Sequence, residues 1–577
     1  MTVISPNPRH SHQASIPGMR RSDDLVDSLV GNFERLLNTI VKGLADRCAA
    51  AGRVQADALN REQSACYELA FASAEILAAR QFFAASVEIK TGRHDAGLVA
   101  IYVADVLLGT LDRLERIARH LGVALDDVAD LRNAGEWRAI LEHGGFAAQE
   151  RLGAAIIAGD GFGDVAMSVD AHMSFDSFAR FATDVVRPLA EDIHRHDLIV
   201  PEALLGPMRE MGIFGLGVSA RFGGTAPDDG DDNHVMIAIT EALSEASLGA
   251  AGSLITRAEI LARAMAAGGT EAQKARFLPG IAAGAPLCAI SITEPDYGSD
   301  VASISLRATR TDGGWLLNGA KTWCTFAGKA GLLMVVARTG EKDAGHKGLS
   351  IMLVEKPSFE GHEFSYEQPG GGLLMGRAIP TIGYRGMHSF DLAFENVFVP
   401  DDHLLGGEAG LGKGFYYTMA GMTGGRMQTA ARACGVMRAA IGAARSYAAE
   451  RKVFGRTLGD YPLTQAKIAR MAARFVACRH LTYAVGTWLD EGRGQMEASL
   501  VKLLACRSAE LVTREAQQIH GGMGYAEEMA VSRYFVDARV LSIFEGAEET
   551  LALKVIAKGL LERALGDRQS QSSGDAS

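Results

Sequence analysis

One carboxylate near the end of the chain stands in a setting that suits a catalytic base. In the stretch SIFEGAEET, Glu545 follows an apolar pair and precedes Gly546. An apolar pocket makes a carboxylate a stronger base, and a positioned base can remove a proton from a carbon acid. Glu548 and Glu549 instead fit the first turn of a helix, where acidic residues complement the helix dipole. Glu545 is therefore the candidate for chemistry here.

Two earlier stretches suit a flat ligand that carries phosphate. The first, ITEPDYGSD, ends a predicted strand, and its small and hydroxyl residues would let a ligand approach the backbone; an ordinary β-turn would have the same composition. The second, KTWCTFAG, places Trp323 and Thr325 two residues apart, so that both face one side of a strand. Tryptophan offers a surface to a planar ring and threonine a hydroxyl to its edge. The alternative is a tryptophan in the core.

A third pair of stretches, ERKVFGRTLGDYPLTQ and QQIHGGMGY, joins an arginine and a glutamine to glycine-rich turns. Such side chains can bind a pyrophosphate, although surface charge and helix ends would explain them equally well. Two nucleotide motifs are excluded. GEAGLGKG lacks the Ser or Thr and the leading strand of a P-loop, and no G-x-G-x-x-G follows a predicted strand.

The elements that must position these residues change character along the chain. Apolar residues recur at three- and four-residue spacing over much of 24–159, again over 174–284, and from 410 to 565, which predicts helices. Between the last two regions, short segments such as CAISIT and GLLMVVART are typical of strands. We therefore predict an α+β fold, with a helical domain, a β domain and a C-terminal four-helix bundle, preceded by an extra all-α domain.

The predicted boundaries follow these changes in pattern. The segments are a flexible N-terminus (1–22), a helical extension (23–165), a helical domain (166–285), a β domain (286–402), a helical bundle (403–566) and a flexible tail (567–577).

Composition excludes several classes of protein. A chain of 577 residues is too long for a single hydrophobic core, so several domains are expected. A net charge of −11 argues against a nucleic-acid binder. Seven scattered cysteines without a C-x-x-C predict neither a disulfide framework nor a zinc site. The N-terminus lacks the apolar core of a secretory signal, and no apolar run is long enough to cross a bilayer. We expect a soluble cytoplasmic protein that binds no metal, no nucleic acid and no membrane.

Taken together, in their order and separation, the motifs resemble those of the acyl-CoA dehydrogenase family over roughly residues 170–565. ITEPDYGSD is similar to the first family signature, and RKVFG, QIHGGMGY and FEG are similar to later ones. The resemblance implies FAD bound between the β domain and the bundle and shared across a dimer interface. It also implies α,β-dehydrogenation of an acyl-CoA thioester, with electrons passed to an electron-transferring flavoprotein.

The resemblance implies roles for single residues. Those expected at the flavin of their own subunit are Thr293, Ser299, Trp323 and Thr325, with Ser299 also near the CoA phosphates. Those expected to reach the FAD of the neighbouring subunit are Arg451, Phe454, Gln518 and Gly522. Glu545 falls at the position of the base, which removes the α proton while hydride leaves the β carbon. Some members carry the base instead at the position of Gly425. Gly546 would leave room for the thioester.

Three arginines bear on the acyl group. Arg257 lies in SLITRAEILARAM, a largely apolar segment that lines the acyl pocket in the family. A buried guanidinium without a partner is costly, so an arginine there suits a substrate carboxylate. The alternative is that Arg257 turns to solvent or pairs near Glu259. Arg426 is a second candidate clamp and Arg385 a weaker one.

These arginines predict a short dicarboxylyl-CoA substrate. Glutaryl-CoA and a plain short-chain acyl-CoA are the enzymatic alternatives. A flavin-binding relative without activity is disfavoured because the chain has Glu545 and is acidic.

The N-terminal extension bears on the expected oligomeric state and on the expected substrate. Two of its predicted helices resemble a hairpin of the bundle, each pair joined by Gly-Arg at 92–93 and 492–493, either through shared composition or because the extension imitates a packing surface. Family members are usually tetramers, and an extension that covers the face of a second dimer predicts a homodimer. A similar extension occurs in family members that oxidise methylsuccinyl-CoA to mesaconyl-CoA in the ethylmalonyl-CoA pathway.

Overall fold

The computed structural model describes residues 19–88, 94–228, 230 and 232–574. The chain forms two compact units. One comprises Met1–Met167, Met437–Ala526 and Gly546–Ser577, and the other comprises Ser168–Val436 and Glu527–Glu545. None of the helices within these described ranges is long and apolar enough to cross a membrane.

The helices and strands follow the predicted order of helices, strands and helices. Up to residue 167 they are α1 (Met19–Cys48), β1 (Ala49–Ala50), β2 (Arg53–Val54), α2 (Ala56–Arg61), α3 (Gln63–Glu88), α4 (Asp95–Leu121), α5 (Asp126–Asn133), α6 (Gly135–His143) and α7 (Phe146–Ile157). The next helices are α8 (Val169–Phe181), α9 (Arg187–Arg195), α10 (Glu202–Glu210), α11 (Asn233–Ala246), α12 (Ile255–Gly268) and α13 (Glu271–Ala283).

The central strands are β3 (Cys288–Ser291), β4 (Arg307–Thr311), β5 (Gly314–Thr325), β6 (Leu332–Arg338), β7 (Leu349–Glu355), β8 (Glu363–Glu367), β9 (Leu373–Ala378) and β10 (Ser389–Pro400). The remaining elements are α14 (Gly414–Glu450), β11 (Lys452–Val453), β12 (Arg456–Thr457), α15 (Pro462–Asp490), α16 (Gln495–His520), α17 (Ala530–Leu541), α18 (Glu548–Thr550) and α19 (Lys558–Gly574).

Local sequence signals explain several boundaries. The Ser168 hydroxyl accepts a hydrogen bond from the Ala171 N–H and begins α8. Thr270 and Gln273 form a reciprocal capping box at the start of α13. Pro462 is the first residue of α15, a position that needs no N–H donor.

The ends of the chain differ from the prediction. α1 begins at Met19 and α19 continues to Gly574, so residues 19–22 and 567–574 are helical where the polar composition predicted loose chain. The rest of the two predicted flexible ends lies outside the described residues, as does the predicted Gly-Arg turn at 92–93.

The extension packs on the C-terminal helices of its own unit. α3 and α4 pack against each other and both contact α15, while α7 lies along α15. The Phe82 ring stacks on His480 with centroids 5.4 Å apart, and Arg474 forms an ion pair with Asp105 at 3.2 Å. At Gly153, an added Cβ would lie 1.9 Å from a backbone carbonyl oxygen of α15, so that only glycine permits this approach. The N-terminal helices and the α15–α16 hairpin thus share one core.

This core contains a histidine that acid should destabilise. Burial, and next the charge of Arg479, lower the pKa of His480 to about 4 from the ordinary 6.5. The folded state therefore favours the neutral His480 ring. The contribution of this ring to the free energy of unfolding is complete above about pH 6.5 and is lost as the pH falls towards 4. The whole shift corresponds to about 3 kcal/mol.

We expect α3 and α15 to exchange amide hydrogens faster at pH 5 than at pH 7.5, after correction for the intrinsic rate. His480→Leu should remove most of this difference, whereas His172→Gln, at an exposed histidine, should not. An unchanged pH response in His480→Leu would assign the effect to another group.

The β domain is one eight-stranded sheet. Its strand order is β3-β6-β4-β5-β10-β9-β8, with β7 paired to β6. β3 and β4 run parallel to β6, and the other neighbours are antiparallel. Buried residues from its edge strands and its central strands form the hydrophobic core, among them Leu317, Val335 and Phe394. The sheet thereby carries the end of β5, where the KTWCTFAG motif lies, on a rigid support.

Candidate active site

Glu545 and Gly425 meet in the second unit. Glu545 follows α17, is partly buried, and has a φ of +53°. A Cβ added to Gly425 on α14 would lie 3.1 Å from Oε2 of Glu545. Positions 545 and 425, which the family resemblance connects with a base, are therefore adjacent in space. A side chain at position 425 would occupy the space that the Glu545 carboxylate uses.

The backbone at Glu545 is held by its neighbour Phe544. The Phe544 ring meets Tyr384 edge-on, with centroids 5.4 Å apart, and the Arg432 guanidinium lies 5.2 Å from the ring centroid. The Tyr384 N–H donates to the buried Asp537 carboxylate at 2.6 Å. A left-handed conformation in a residue other than glycine persists only where its surroundings enforce it, and these contacts supply that constraint.

A buried polar network links α12 and α14 beside this ring. Arg432 is fully buried and donates to the Thr256 hydroxyl at 2.8 Å, and that hydroxyl donates to the Gln428 side chain at 2.7 Å. Sequence reasoning missed all three residues. Their signal was the presence of polar side chains at positions that the helical period places inside.

Arg257 is held inside the unit. Its side chain is 7% exposed and donates to the Ser253 carbonyl at 3.3 Å and to the Tyr384 hydroxyl at 3.4 Å. Glu259 forms its ion pair with Arg263 one turn later. Arg257 therefore does not turn to solvent, and its long hydrogen bonds leave a buried cation that can bind a carboxylate more strongly than it binds these neutral oxygens.

The charge of Arg426 lies within reach of Glu545. Burial lowers the pKa of Arg426, and the Glu545 carboxylate opposes that shift. The Arg426 guanidinium therefore interacts electrostatically with the Glu545 carboxylate.

Arg385 has other partners. Its guanidinium donates to the carbonyls of Thr381 and His194, at 3.0 and 2.8 Å, and lies 3.4 Å from an oxygen of Asp197. These contacts tie the loop before β10 to α9. The guanidinium is engaged in the fold, so its predicted role as a substrate clamp has no support from this geometry.

Trp323 lies on an irregularity of β5. Cys324 pairs with Phe390 and Lys321 with Leu392, so two residues of β5 oppose one of β10, which is a β-bulge. Trp323 has a φ of +57° and is 55% exposed, whereas Thr325 is 7% exposed and shares a 2.9 Å hydrogen bond with Ser389.

Strict alternation along β5 does not hold at this point, because the bulge adds a residue. Trp323 is not a core tryptophan in this chain: the bulge leaves its ring open to a planar ligand.

A buried ion pair fixes the two signature motifs to each other. The Lys321 ammonium donates to Glu294 and to the Ile292 carbonyl, each at 2.8 Å. Glu294 also accepts from the N–H groups of Ser305 and Leu306 at 2.7 and 2.8 Å. Burial raises the pKa of a carboxyl group, but Lys321 and these donors outweigh it and lower the pKa of Glu294.

Thr293 precedes this carboxylate, and its own carbonyl accepts from the Thr322 N–H at 2.9 Å. Ser299 is exposed seven positions after Ile292 in the same motif. Neither motif alone reveals the ion pair that joins them, because its two residues are 27 positions apart.

In the first unit, a hairpin tip presents an aromatic ring to solvent. β11 and β12 are joined by Phe454 and Gly455, both at positive φ, as a two-residue type I′ turn requires. Phe454 is 100% exposed, and Arg451 before the hairpin is exposed as well. Gln518 and Gly522, at the end of α16, are also exposed. The residues predicted to serve a neighbouring subunit are thus free of contacts that would bury them.

The chain just after Glu545 is anchored within the first unit. The buried Lys502 donates to the Gly546 carbonyl at 2.7 Å. Glu548 accepts from the hydroxyl of Tyr67 on α3 and from Arg507. The sequence predicted only a helix-dipole role for Glu548. The structure adds a contact with the extension.

Models of the acyl-CoA dehydrogenase N-terminal, middle and C-terminal domains match residues 168–285, 289–397 and 412–561. The chain belongs to the acyl-CoA dehydrogenase family. It is accordingly an FAD-dependent oxidoreductase that acts on acyl-CoA.

Its relatives differ in how much of the chain they cover. The (2S)-methylsuccinyl-CoA dehydrogenase of Cereibacter sphaeroides is 35% identical over 549 residues, which are 93% of this chain and 98% of that protein. The butyryl-CoA dehydrogenase structure from Megasphaera elsdenii is 30% identical with a TM-score of 0.63, covering 69% of this chain and 100% of that one. A chain in the structure of the electron transferring flavoprotein of Acidaminococcus fermentans is 30% identical with a TM-score of 0.62, covering 70% and 99%.

Three of the residues predicted to bind FAD are exposed in this acyl-CoA dehydrogenase. Trp323 is exposed on the β-bulge, Phe454 is exposed at the tip of the β11–β12 hairpin, and Arg451 is exposed just before that hairpin. An exposed aromatic ring offers a surface on which a planar ring system can stack.

Proposed function

We propose that this acyl-CoA dehydrogenase oxidises (2S)-methylsuccinyl-CoA to mesaconyl-CoA, as a step of the ethylmalonyl-CoA pathway. The observation that carries the proposal is the similarity to a methylsuccinyl-CoA dehydrogenase along 93% of the chain, which includes the extension that the butyryl-CoA dehydrogenase lacks. The buried Arg257 on α12 supports it, because a dicarboxylyl substrate would give this cation a partner.

In this mechanism, the Glu545 carboxylate removes the proton from the substrate α carbon. When bound, FAD supplies the acceptor for the hydride that leaves the β carbon, so that two C–H bonds break and one C=C bond forms. The backbone N–H of Glu545 donates to the thioester oxygen and stabilises the negative charge that develops there. Arg426 attracts the Glu545 carboxylate electrostatically, and Arg257 binds the distal carboxylate.

Packing at Phe544 holds the base in place during the transfer. Tyr384 and Arg432 fix the ring, and the left-handed backbone at Glu545 directs the carboxylate towards the space in front of Gly425. Pre-positioned groups lower the barrier because no reorganisation is needed during the reaction.

The test is anaerobic reduction of the flavin. The purified yellow protein should bleach with methylsuccinyl-CoA and release mesaconyl-CoA, with slower bleaching by glutaryl-CoA, succinyl-CoA or butyryl-CoA. Faster reduction by glutaryl-CoA or butyryl-CoA would replace the proposed substrate by one of those. We further propose an electron-transferring flavoprotein as electron acceptor, which its addition to the assay tests directly.

The same extension supports a homodimer. α3, α4 and α7 cover α15 within one chain, so that this face of α15 is closed to a second dimer, while the exposed Phe454 hairpin remains available for the partner subunit of the first. We expect light scattering to give the mass of two chains. Phe454→Ala should weaken both FAD retention and dimerisation, because the tip would serve the partner's cofactor. A tetramer would contradict the covering role of the extension.

A further inference from the structure

Two histidines and an aspartate form a cluster in the second unit, outside the residues assigned to the base and the acyl group. Asp197 follows α9, His362 precedes β8 and His388 precedes β10. One potential ligand atom from each of the three lies within 4.8 Å of the other two. Two imidazoles and one carboxylate are the ligand types that zinc and similar transition metals prefer, whereas calcium and magnesium take mostly oxygen.

The hydrogen bonds of the cluster favour a cation at its centre. His388 is buried, with Nε2 at 3.1 Å from Oδ1 of Asp197 and Nδ1 at 3.3 Å from the Gly386 carbonyl oxygen. A neutral imidazole has one N–H and here faces two acceptors, so one of these contacts lacks a hydrogen. If Nδ1–H bonds the carbonyl, Nε2 and the carboxylate both direct lone pairs into the same space. Such a carbonyl partner on the second ring nitrogen is typical of metal-binding histidines.

The third ligand approaches from the other side. His362 is exposed, and its ring centroid lies 4.5 Å from that of His388. Its Nε2 lies 3.1 Å from the Asp197 carbonyl oxygen, an acceptor, so that this nitrogen carries the proton and Nδ1 the lone pair. With His388 in the Nδ1–H tautomer, each of the three side chains offers one lone pair.

The backbone holds these ligands in unusual conformations. Asp197 has a φ of +54° and His388 a φ of +44°. The Val200 N–H donates to the Gly386 carbonyl at 2.9 Å and joins the loop after α9 to the segment before β10. Left-handed residues cluster where surroundings impose a conformation for function, and here two of them belong to one set of ligands.

We propose that Asp197, His362 and His388 bind a divalent transition-metal ion of the Zn²⁺ type, with a fourth position open to water. Zinc–ligand bonds of about 2.0–2.2 Å bring donor atoms closer together than the 4.8 Å limit of this cluster, so the side chains would move towards the ion. The nearby Arg385 guanidinium, 3.4 Å from Asp197, opposes the ion, so the affinity is below that of closed structural zinc sites. No local sequence motif marks this site, because its ligands come from three distant segments.

The site is coupled to the signature motif on β5. The His388 carbonyl accepts from the Phe326 N–H at 2.7 Å, and the next residue, Ser389, shares its hydroxyl hydrogen bond with Thr325. An ion that fixes His388 therefore also fixes the end of β5.

The test is Zn²⁺ binding to the FAD-loaded full chain, measured by calorimetry after chelator treatment. We expect one Zn²⁺ per chain, with affinity reduced in His362→Gln and in His388→Asn by at least the roughly 10–100-fold that loss of an outer-shell partner causes. Glutamine replaces an exposed side chain, and asparagine tolerates positive φ, so both variants should fold. X-ray absorption should show nitrogen and oxygen neighbours.

The matched control is His172→Gln, an exposed histidine beside a single carboxylate, Asp176, at 3.7 Å. It should bind Zn²⁺ as the parent does. The proposal is overturned if the parent binds no Zn²⁺ at millimolar concentration, if both ligand variants bind it unchanged, or if the absorption spectrum shows sulfur neighbours from the cysteines. None of these readouts depends on the acyl substrate, so they stand or fall apart from the proposed activity.

Discussion

Glu545→Gln is expected to retain FAD and lose about 10³-fold in the rate of flavin reduction by methylsuccinyl-CoA. The amide keeps the size and hydrogen-bonding shape of the side chain but cannot accept the α proton, and general-base catalysis contributes about 10²–10⁴-fold. The measurement is anaerobic stopped-flow reduction, with the flavin spectrum and circular dichroism as controls for cofactor and fold. A variant that reduces at the parent rate would show that Glu545 is not the base.

The position of Gly425 allows a sharper experiment. A Cβ at position 425 would lie 3.1 Å from Oε2 of Glu545. A glutamate at position 425 can therefore bring its carboxylate from helix α14 to the same region. Glu545→Gly is compatible with the φ of +53° and vacates the space. We expect Glu545→Gly to be as inactive as Glu545→Gln, and Glu545→Gly/Gly425→Glu to recover at least about tenfold in rate.

Gly425→Glu alone supplies the matched comparison. It should reduce activity, because two carboxylates would then compete for one space. If the double variant recovers nothing while it still binds FAD, the observed proximity does not represent a shared catalytic position.

The sequence predicted the parts of the site that depend on short local motifs. Glu545, Trp323 and the hairpin at Phe454 were identified because each stands in a quoted motif whose order along the chain resembles a family. The order of helical and strand regions was likewise predictable, since apolar periods of 3.6 and 2 residues are local properties. The bulge at Trp323 was not, because it depends on the register of β10 against β5.

The missed residues depend on contacts between distant segments. Arg432 acts through Phe544 and Thr256, and Lys321 joins two motifs through Glu294. Arg385 shows the converse: an arginine in a recognisable motif was assigned to substrate, yet its guanidinium is engaged by backbone carbonyls and Asp197. Sequence spacing identifies which residue types are present, while the partner that each charge finds is decided only in the fold.

Arg257→Met should lower kcat/KM for methylsuccinyl-CoA by about 100-fold, with little change for butyryl-CoA. Methionine preserves the length and apolar body of the side chain but removes the charge, and a hydrogen bond to a charged group contributes about 1.5–3 kcal/mol. The Tyr384 hydroxyl and Ser253 carbonyl lose only long contacts, so the fold should tolerate the change. Steady-state assays with both thioesters on one preparation give the ratio.

Arg426→Met distinguishes recognition of the carboxylate from support of the base. Arg426 lies within electrostatic reach of Glu545, so its replacement should slow flavin reduction by methylsuccinyl-CoA and by butyryl-CoA by a similar factor, with a change mainly in kcat. Arg257→Met should discriminate between the two thioesters and alter KM more than kcat. If Arg257→Met instead slows both thioesters equally, the buried cation supports the packing around Tyr384 and Phe544, and the carboxylate must be recognised elsewhere.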